Sequence, residues 1–160
     1  MTADTEPGAP SVEVYEATEV TDELVESFAR LVPQLSSSSA PTSRAELAEI
    51  AASEATVLFM ARSADGRIVG SLTLAMFRIP TGFRAWIEDV VVDDSARGAG
   101  VGEALVAAAV DRARSAGAKT VDLTSRPSRE SANRLYLRLG FEARSTNVYR
   151  MSTGIPTEGS

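Results

Sequence analysis

Val90-Val91-Val92-Asp93-Asp94-Ser95-Ala96-Arg97-Gly98-Ala99-Gly100-Val101-Gly102-Glu103 is the stretch that decides the fold. A β-branched run, read as the end of a strand over Ala85–Val92, gives way to a polar loop and then to three alternating glycines. A long, mostly apolar helix follows from about Gly100 to Ala116, closed by Gly117. The first N–H groups of such a helix have no partner inside it, and the macrodipole adds positive charge there. Glycines let an anion approach the backbone, and Arg97 adds a charge-assisted donor. A diphosphate is the natural ligand. Two other readings exist. A dinucleotide-binding loop wants glycine at position 103, which is Glu103, and a strand-first βαβ unit, which is absent. A purely structural turn needs neither the arginine nor all three glycines.

Working outward, Val12–Thr18 alternates as a short strand, and Thr21 caps a helix carrying Leu24, Phe28, Leu31 and Leu35. Ser36–Ser39 and Ala40-Pro41 break that helix. They read as a mobile loop or as a substrate-side loop between two helices. Ser43 and Glu46 form a capping box for a second helix through Leu47 and Ile50. Val57–Ala61 and Ile68–Phe77 flank the hairpin signal Asp65-Gly66. On the far side, Thr120–Thr124 is a short strand and Ser128 or Ser131 opens a last helix with Ala132, Leu135 and Leu139. Gly140 ends that helix, and Val148–Met151 is a terminal strand. The fold class is mixed α/β: one domain over 11–152 on a central sheet. Residues 1–10 and 153–160, rich in Pro, Gly, Thr and acidic residues, read as a disordered and a flexible tail.

Composition removes whole classes of chemistry. The 160 residues include no cysteine and no histidine, so disulfides, the usual zinc sites, cysteine nucleophiles and a Ser-His-Asp triad are excluded. No metal is expected. The 16 basic residues against 22 acidic give a net charge of −6, which disfavours nucleic acid as a partner. Lys119 is the only lysine and follows alanine, so a Walker-type loop is excluded. No apolar run approaches the ~20 residues of a membrane span, and Met1–Gly8 lacks the features of a signal peptide. A cytoplasmic setting without membrane partners is the default expectation.

Arg97-Gly98-Ala99-Gly100-Val101-Gly102 resembles the pyrophosphate loop of the GNAT superfamily, the acyl-CoA-dependent N-acyltransferases, whose pattern is Arg or Gln, two residues, Gly, one residue, then Gly or Ala. Val90-Val91-Val92 resembles the family's splayed strand, which pairs with the pantetheine arm. Ala132-Asn133-Arg134-Leu135-Tyr136, followed by Leu139-Gly140-Phe141, resembles its second motif. The resemblance covers about Val12 to Met151. It implies a mostly antiparallel sheet of about six to seven strands with a splayed parallel pair, about four helices, and acetyl-CoA as co-substrate. The cofactor residues it implies are Val90, Val91, Val92, Arg97, Gly98, Ala99, Gly100, Val101, Gly102, Glu103 and Tyr136. Many members carry asparagine seven residues before the tyrosine. Arg129 stands there, with Asn133 one turn further on, and either can meet the cofactor.

Acyl transfer to an amine requires a held cofactor, a deprotonated amine, a stabilised oxyanion and a protonated leaving thiolate. The resemblance assigns the oxyanion to backbone N–H groups of Val90–Val92. Tyr136 can protonate the thiolate, since a phenol near ~10 and a thiol near ~8.5 differ little in pKa; its other reading is a core tyrosine. Strict alternation puts Trp86, Glu88, Val90 and Val92 on one strand face, with Asp89 and Val91 on the other. Glu88, flanked by apolar groups such as Trp86 that would raise its pKa, is the candidate base, as in polyamine acetyltransferases, which share an adjacent Glu-Asp. Asp89 and a water chain are alternatives, and Glu88 and Asp89 are both candidates to attract a cationic substrate. The expected activity is N-acetyl transfer to a small-molecule amine or peptide through a ternary complex, in a monomer or homodimer. The rival is a non-catalytic acyl-CoA-binding module.

Overall fold

Four helices and five strands, in a computed structural model describing residues 12–155, follow from local signals of two kinds. Side-chain caps start the first helices. Thr21 Oγ1 accepts the Leu24 N–H at the head of α1 (Asp22–Leu35), and Ser43 with Glu46 closes a reciprocal box at the head of α2 (Arg44–Ala52). Alternation sets the strands β1 (Glu13–Glu16), β2 (Thr56–Arg62), β3 (Ile68–Ile79), β4 (Gly82–Val92) and β5 (Val121–Asp122). Gly66, at φ 86°, turns the β2–β3 hairpin. The helices α3 (Val101–Ser115) and α4 (Glu130–Arg138) flank β5 in sequence.

The strands lie in the order β1-β2-β3-β4-β5, all antiparallel except the last pair. Period two sends Phe59, Leu72, Leu74, Ala85 and Ile87 to one face, against Val101, Leu105, Val106 and Ala109 of α3. Leu58, Met60 and Ile68 go to the other, against Leu24, Phe28, Leu31 and Leu47 of α1 and α2. Both apolar faces of the sheet are thereby covered. Gly70 seats the start of α3 on β3: a Cβ there would stand 2.8 Å from Val101 Cγ1 and 3.1 Å from Leu105 Cδ1.

Three expectations are corrected. The sheet has five strands among the described residues, not six to seven. The strand expected over Thr120–Thr124 shrinks to Val121–Asp122, because beyond it β4 diverges and offers no partner. Val148–Met151 forms no strand; its residues are exposed and nothing pairs with them among the described residues. Alternation alone does not make a strand without an edge to receive it. The expected tail 1–10 and residues 156–160 lie outside the described residues.

Candidate active site

β4 and β5 pair only at Ala85–Val121 and Trp86–Asp122, and then separate. β4 runs on to Val92 with β3 as its sole strand neighbour there among the described residues. The Asp93 N–H donates to Val69 O at 2.8 Å, so the two-residue period turns the amides of Val90 and Val92 away from β3 and into the gap. A cleft of about 1780 Å³ opens at this point. Its walls are Asp89–Val92, the glycine loop with the head of α3, residues 124–132, Tyr136, and the α1–α2 connection.

Asp93 holds the glycine loop. Its carboxylate is buried, accepts the Ser95 N–H (3.0 Å) and Oγ–H (2.9 Å), and accepts Arg30 Nε–H at 2.9 Å. Arg30 also donates to Ile68 O at 2.5 Å, which ties α1, β3 and the loop together. Burial pushes the Asp93 pKa up, but these hydrogen bonds and the guanidinium outweigh it and hold the group down at about 2. Sequence reasoning gave this residue no role. An Asp directly after a strand, two residues before Ser95, was the available signal for an Asx turn. Beyond it, Arg97 is exposed and pairs with Asp94 at 2.7 Å.

The head of α3 carries no side-chain cap. Gly100 sits there in the left-handed region at φ 80°, and a Cβ on Gly98 or Gly100 would meet nothing within 4 Å. Ala104 N–H returns to Gly100 O at 3.0 Å, while the N–H groups of Val101, Gly102 and Glu103 find no acceptor among the described residues. They form an open anion-binding end. Gly102 lies where a Cβ would touch Leu135 of α4, and Glu103 pairs with Arg138 of α4 at 3.3 Å. Ala99 does not line the cleft; its N–H turns back to Ala96 O.

On the opposite wall α4 also starts without a side-chain cap, at Arg129, which lines the cleft. Asn133 does not line it. Its Nδ2–H donates to Arg126 O at 3.0 Å and fixes the turn that presents Arg129. Tyr136 lines the cleft and is 8% exposed, its ring edge-on to Phe141 with centroids 5.9 Å apart. Burial raises its pKa above the ordinary phenol value, opposed by the nearby Arg129 charge. Ser125 Oγ, also in the cleft wall, is buried without a hydrogen-bond partner among the described residues.

The expected alternation along β4 fails at Asp89. Ser71 pairs with Val91 and Thr73 with Glu88, so Asp89 and Val90 together oppose Leu72. This is a β-bulge, with Asp89 left-handed at φ 52°. The extra residue flips the pattern. Val90 and Val92 join the α3 face, whereas Glu88 and Trp86 share the α1–α2 face with Val91. Glu88 is exposed and outside the cleft lining, and it accepts the Trp86 Nε1–H at 2.7 Å, so the indole meets it with its polar edge instead of an apolar wall. Asp89 lines the cleft.

A split parallel pair, an uncapped glycine turn and a buried tyrosine face one cleft. Residues 18–141 match the acetyltransferase (GNAT) family, and the chain belongs to it. A glucosamine 6-phosphate N-acetyltransferase from Trypanosoma brucei brucei is 42% identical over 111 residues, which is 64% of this chain and 73% of that one. Among solved structures, an acetyltransferase from Trypanosoma brucei superposes with a TM-score of 0.71 at 32% identity, covering 88% of this chain and 99% of the other. An aminoglycoside N-acetyltransferase solved with CoA shares the fold at 19% identity and a TM-score of 0.74, covering 92% of this chain and 99% of that one. The protein is thus an acetyltransferase, and the reading as a non-catalytic module gives way. Among the described residues no helix is long and apolar enough to cross a membrane.

Proposed function

We propose that the protein moves the acetyl group of acetyl-CoA to a primary amine of a small molecule or peptide, by direct attack within a ternary complex. One observation carries this reading: the unclaimed N–H groups of Val101, Gly102 and Glu103 open into the same cleft as the unpaired edge of Val90–Val92. The residues present suit acetyl-CoA. Open space over Gly98 and Gly100 admits a diphosphate, Arg97 and Arg129 supply charge, and Ser125 Oγ lacks a partner that a bound molecule can provide. Bound there, acetyl-CoA supplies a thioester activated toward amines.

The chain's own groups divide the remaining work. Amides of Val90 and Val92 stabilise negative charge on the carbonyl oxygen. Tyr136 stays protonated at neutral pH and donates its hydroxyl proton as the carbon–sulfur bond breaks. Asp89 draws the ammonium of the acceptor into the cleft, and Glu88, on the α1–α2 face, takes its proton through water. Asn133 acts by positioning Arg129.

The acceptor enters beside Ser36, Ser39, Thr42 and Glu46, polar groups set among Val32, Leu35, Ala40 and Ile50, on a wall without a basic side chain among the described residues. Such a wall suits a polyhydroxy amine. An amino sugar is therefore the first acceptor class to test, and the glucosamine 6-phosphate enzyme among the relatives points the same way. The test is CoA release with glucosamine, glucosamine 6-phosphate, aminoglycosides, polyamines and peptides. Initial rates with both substrates varied should intersect. Parallel lines would replace direct attack by a two-step route, and no CoA release with any amine would sink the assignment.

A further inference from the structure

We infer that Trp86 is a stacking platform for the acceptor, and that the acceptor it selects carries its amine on a sugar ring. The inference rests on the proposed acetyl transfer for its chemistry, but not for the binding that Trp86 itself reports. Trp86 is the only tryptophan of the 160 residues. It is half-buried in the middle of β4, yet it packs in neither core cluster among the described residues. Its partner on β3 is Ala75, whose partner on β2 is Thr56, so small side chains leave room beside the indole. Phe77, two residues beyond Ala75 on the same face and 43% exposed, extends the apolar surface. A large ring that serves no core, next to a cleft, is available to a ligand.

The platform is continuous with the site. The bulge at Asp89 leaves Trp86 and Glu88 on the face of α1 and α2, the helices whose connection walls the cleft. The indole Nε1–H donates to Glu88 Oε1 at 2.7 Å, which fixes the ring by its polar edge, turned along β4 toward Asp89 in the cleft lining. From Trp86 to Val90 the strand advances on the order of 10 Å, so a ligand with its amine at Val90 meets the indole only if it has bulk of that size. Glu88 and Asp89 between the two complement an ammonium. A pyranose has both surfaces that this arrangement suits. Its C–H face is apolar and lies flat on an indole, and its rim of hydroxyls meets Ser36, Ser39, Thr42 and Glu46. An open chain with the same hydroxyls has no such face.

The single tryptophan makes the test direct. With CoA present, the emission of the full chain should change saturably on titration with glucosamine. It should not change with glucosaminitol, the reduced open-chain form that keeps the amine and the hydroxyls. In CoA-release kinetics, Trp86→Leu should raise the KM for glucosamine by roughly three- to tenfold, with kcat and the KM for acetyl-CoA little changed. Trp86→Phe should recover most of that loss. Emission that ignores glucosamine while the enzyme acetylates it overturns the proposal. So does an equal rise in KM for glucosamine and glucosaminitol in Trp86→Leu, or a wild-type preference for open-chain diamines, which would make the surface a cation subsite. If no amine releases CoA, the acetyl-transfer reading fails by itself. A saturable response to glucosamine would then still uphold the platform, and its absence would overturn both.

Discussion

The heads of α2 and α3 border the same cleft and are built in opposite ways. At α2 the chain satisfies its own amides: Ser43 Oγ accepts the Glu46 N–H at 3.1 Å, and Glu46 Oε2 accepts the Ser43 N–H at 2.7 Å. At α3 a left-handed glycine replaces the cap and the first amides are left without acceptors. A helix start can serve its own stability or a ligand, and the choice lies in the one residue before the helix. The head of α4, with Arg129 in place of a capping Ser or Asp, sides with α3. The α2 side of the cleft is thus closed by side chains, whereas the α3 side is left open as backbone.

Gly100→Val breaks the comparison most severely. Loss of two charge-assisted hydrogen bonds, each worth about 1.5–3 kcal/mol, should weaken acetyl-CoA binding by at least ~10²-fold in calorimetry. Holding valine near φ 80° should also cost about 1–2 kcal/mol of stability. Wild-type affinity in this variant would move the diphosphate elsewhere.

Tyr136→Phe should come next, lowering kcat by ~10²–10³ with acetyl-CoA affinity little changed. A thioester with a more acidic thiol needs less protonation and should recover part of the rate. Equal losses with both thioesters would make Tyr136 a positioning residue.

Asp93→Asn strikes the scaffold of the open wall, and thermal unfolding should show a loss of about 2–3 kcal/mol. The folded pKa of Asp93, about 2, lies below the ~3.9 of an unfolded aspartate. Its contribution is therefore present above about pH 4 and disappears as pH falls toward 2. Wild-type stability should drop across that window more steeply than that of the variant. Equal slopes would remove Asp93 from the acid limb.

Glu88→Gln should lower kcat by about tenfold and leave acetyl-CoA affinity intact. An unaltered kcat would pass the role to Asp89 or to water alone. The smallest effect belongs to the closed wall. Ser43→Ala should cost about 1 kcal/mol of stability and leave acetyl-CoA affinity as it was. A fall in affinity would mean that the two helix ends are coupled.

The glycine turn at the head of α3 was legible because its geometry is local. Glycines at 98, 100 and 102 state a backbone conformation directly, and Ser43 with Glu46 states a cap, since each partner lies within one turn. The bulge at Asp89 was not legible. It is a register mismatch between β4 and β3, and neither strand encodes it alone. That Arg129 lines the cleft and Asn133 does not was hidden for a similar reason, since it depends on where Arg126 O falls after the turn.

By itself the sequence determined the order of elements from β1 to α4, the glycine turn at the start of α3, and the exclusion of histidine and cysteine chemistry. These depend on residue identity and on spacings of a few positions. The tertiary structure alone decided which of Glu88 and Asp89 meets the cleft, that Asp93 binds α1 to the glycine loop, and that Val148–Met151 finds no strand partner among the described residues. Each of these depends on groups far apart in the chain arriving at one place, and short-range periodicity carries no information about that arrival.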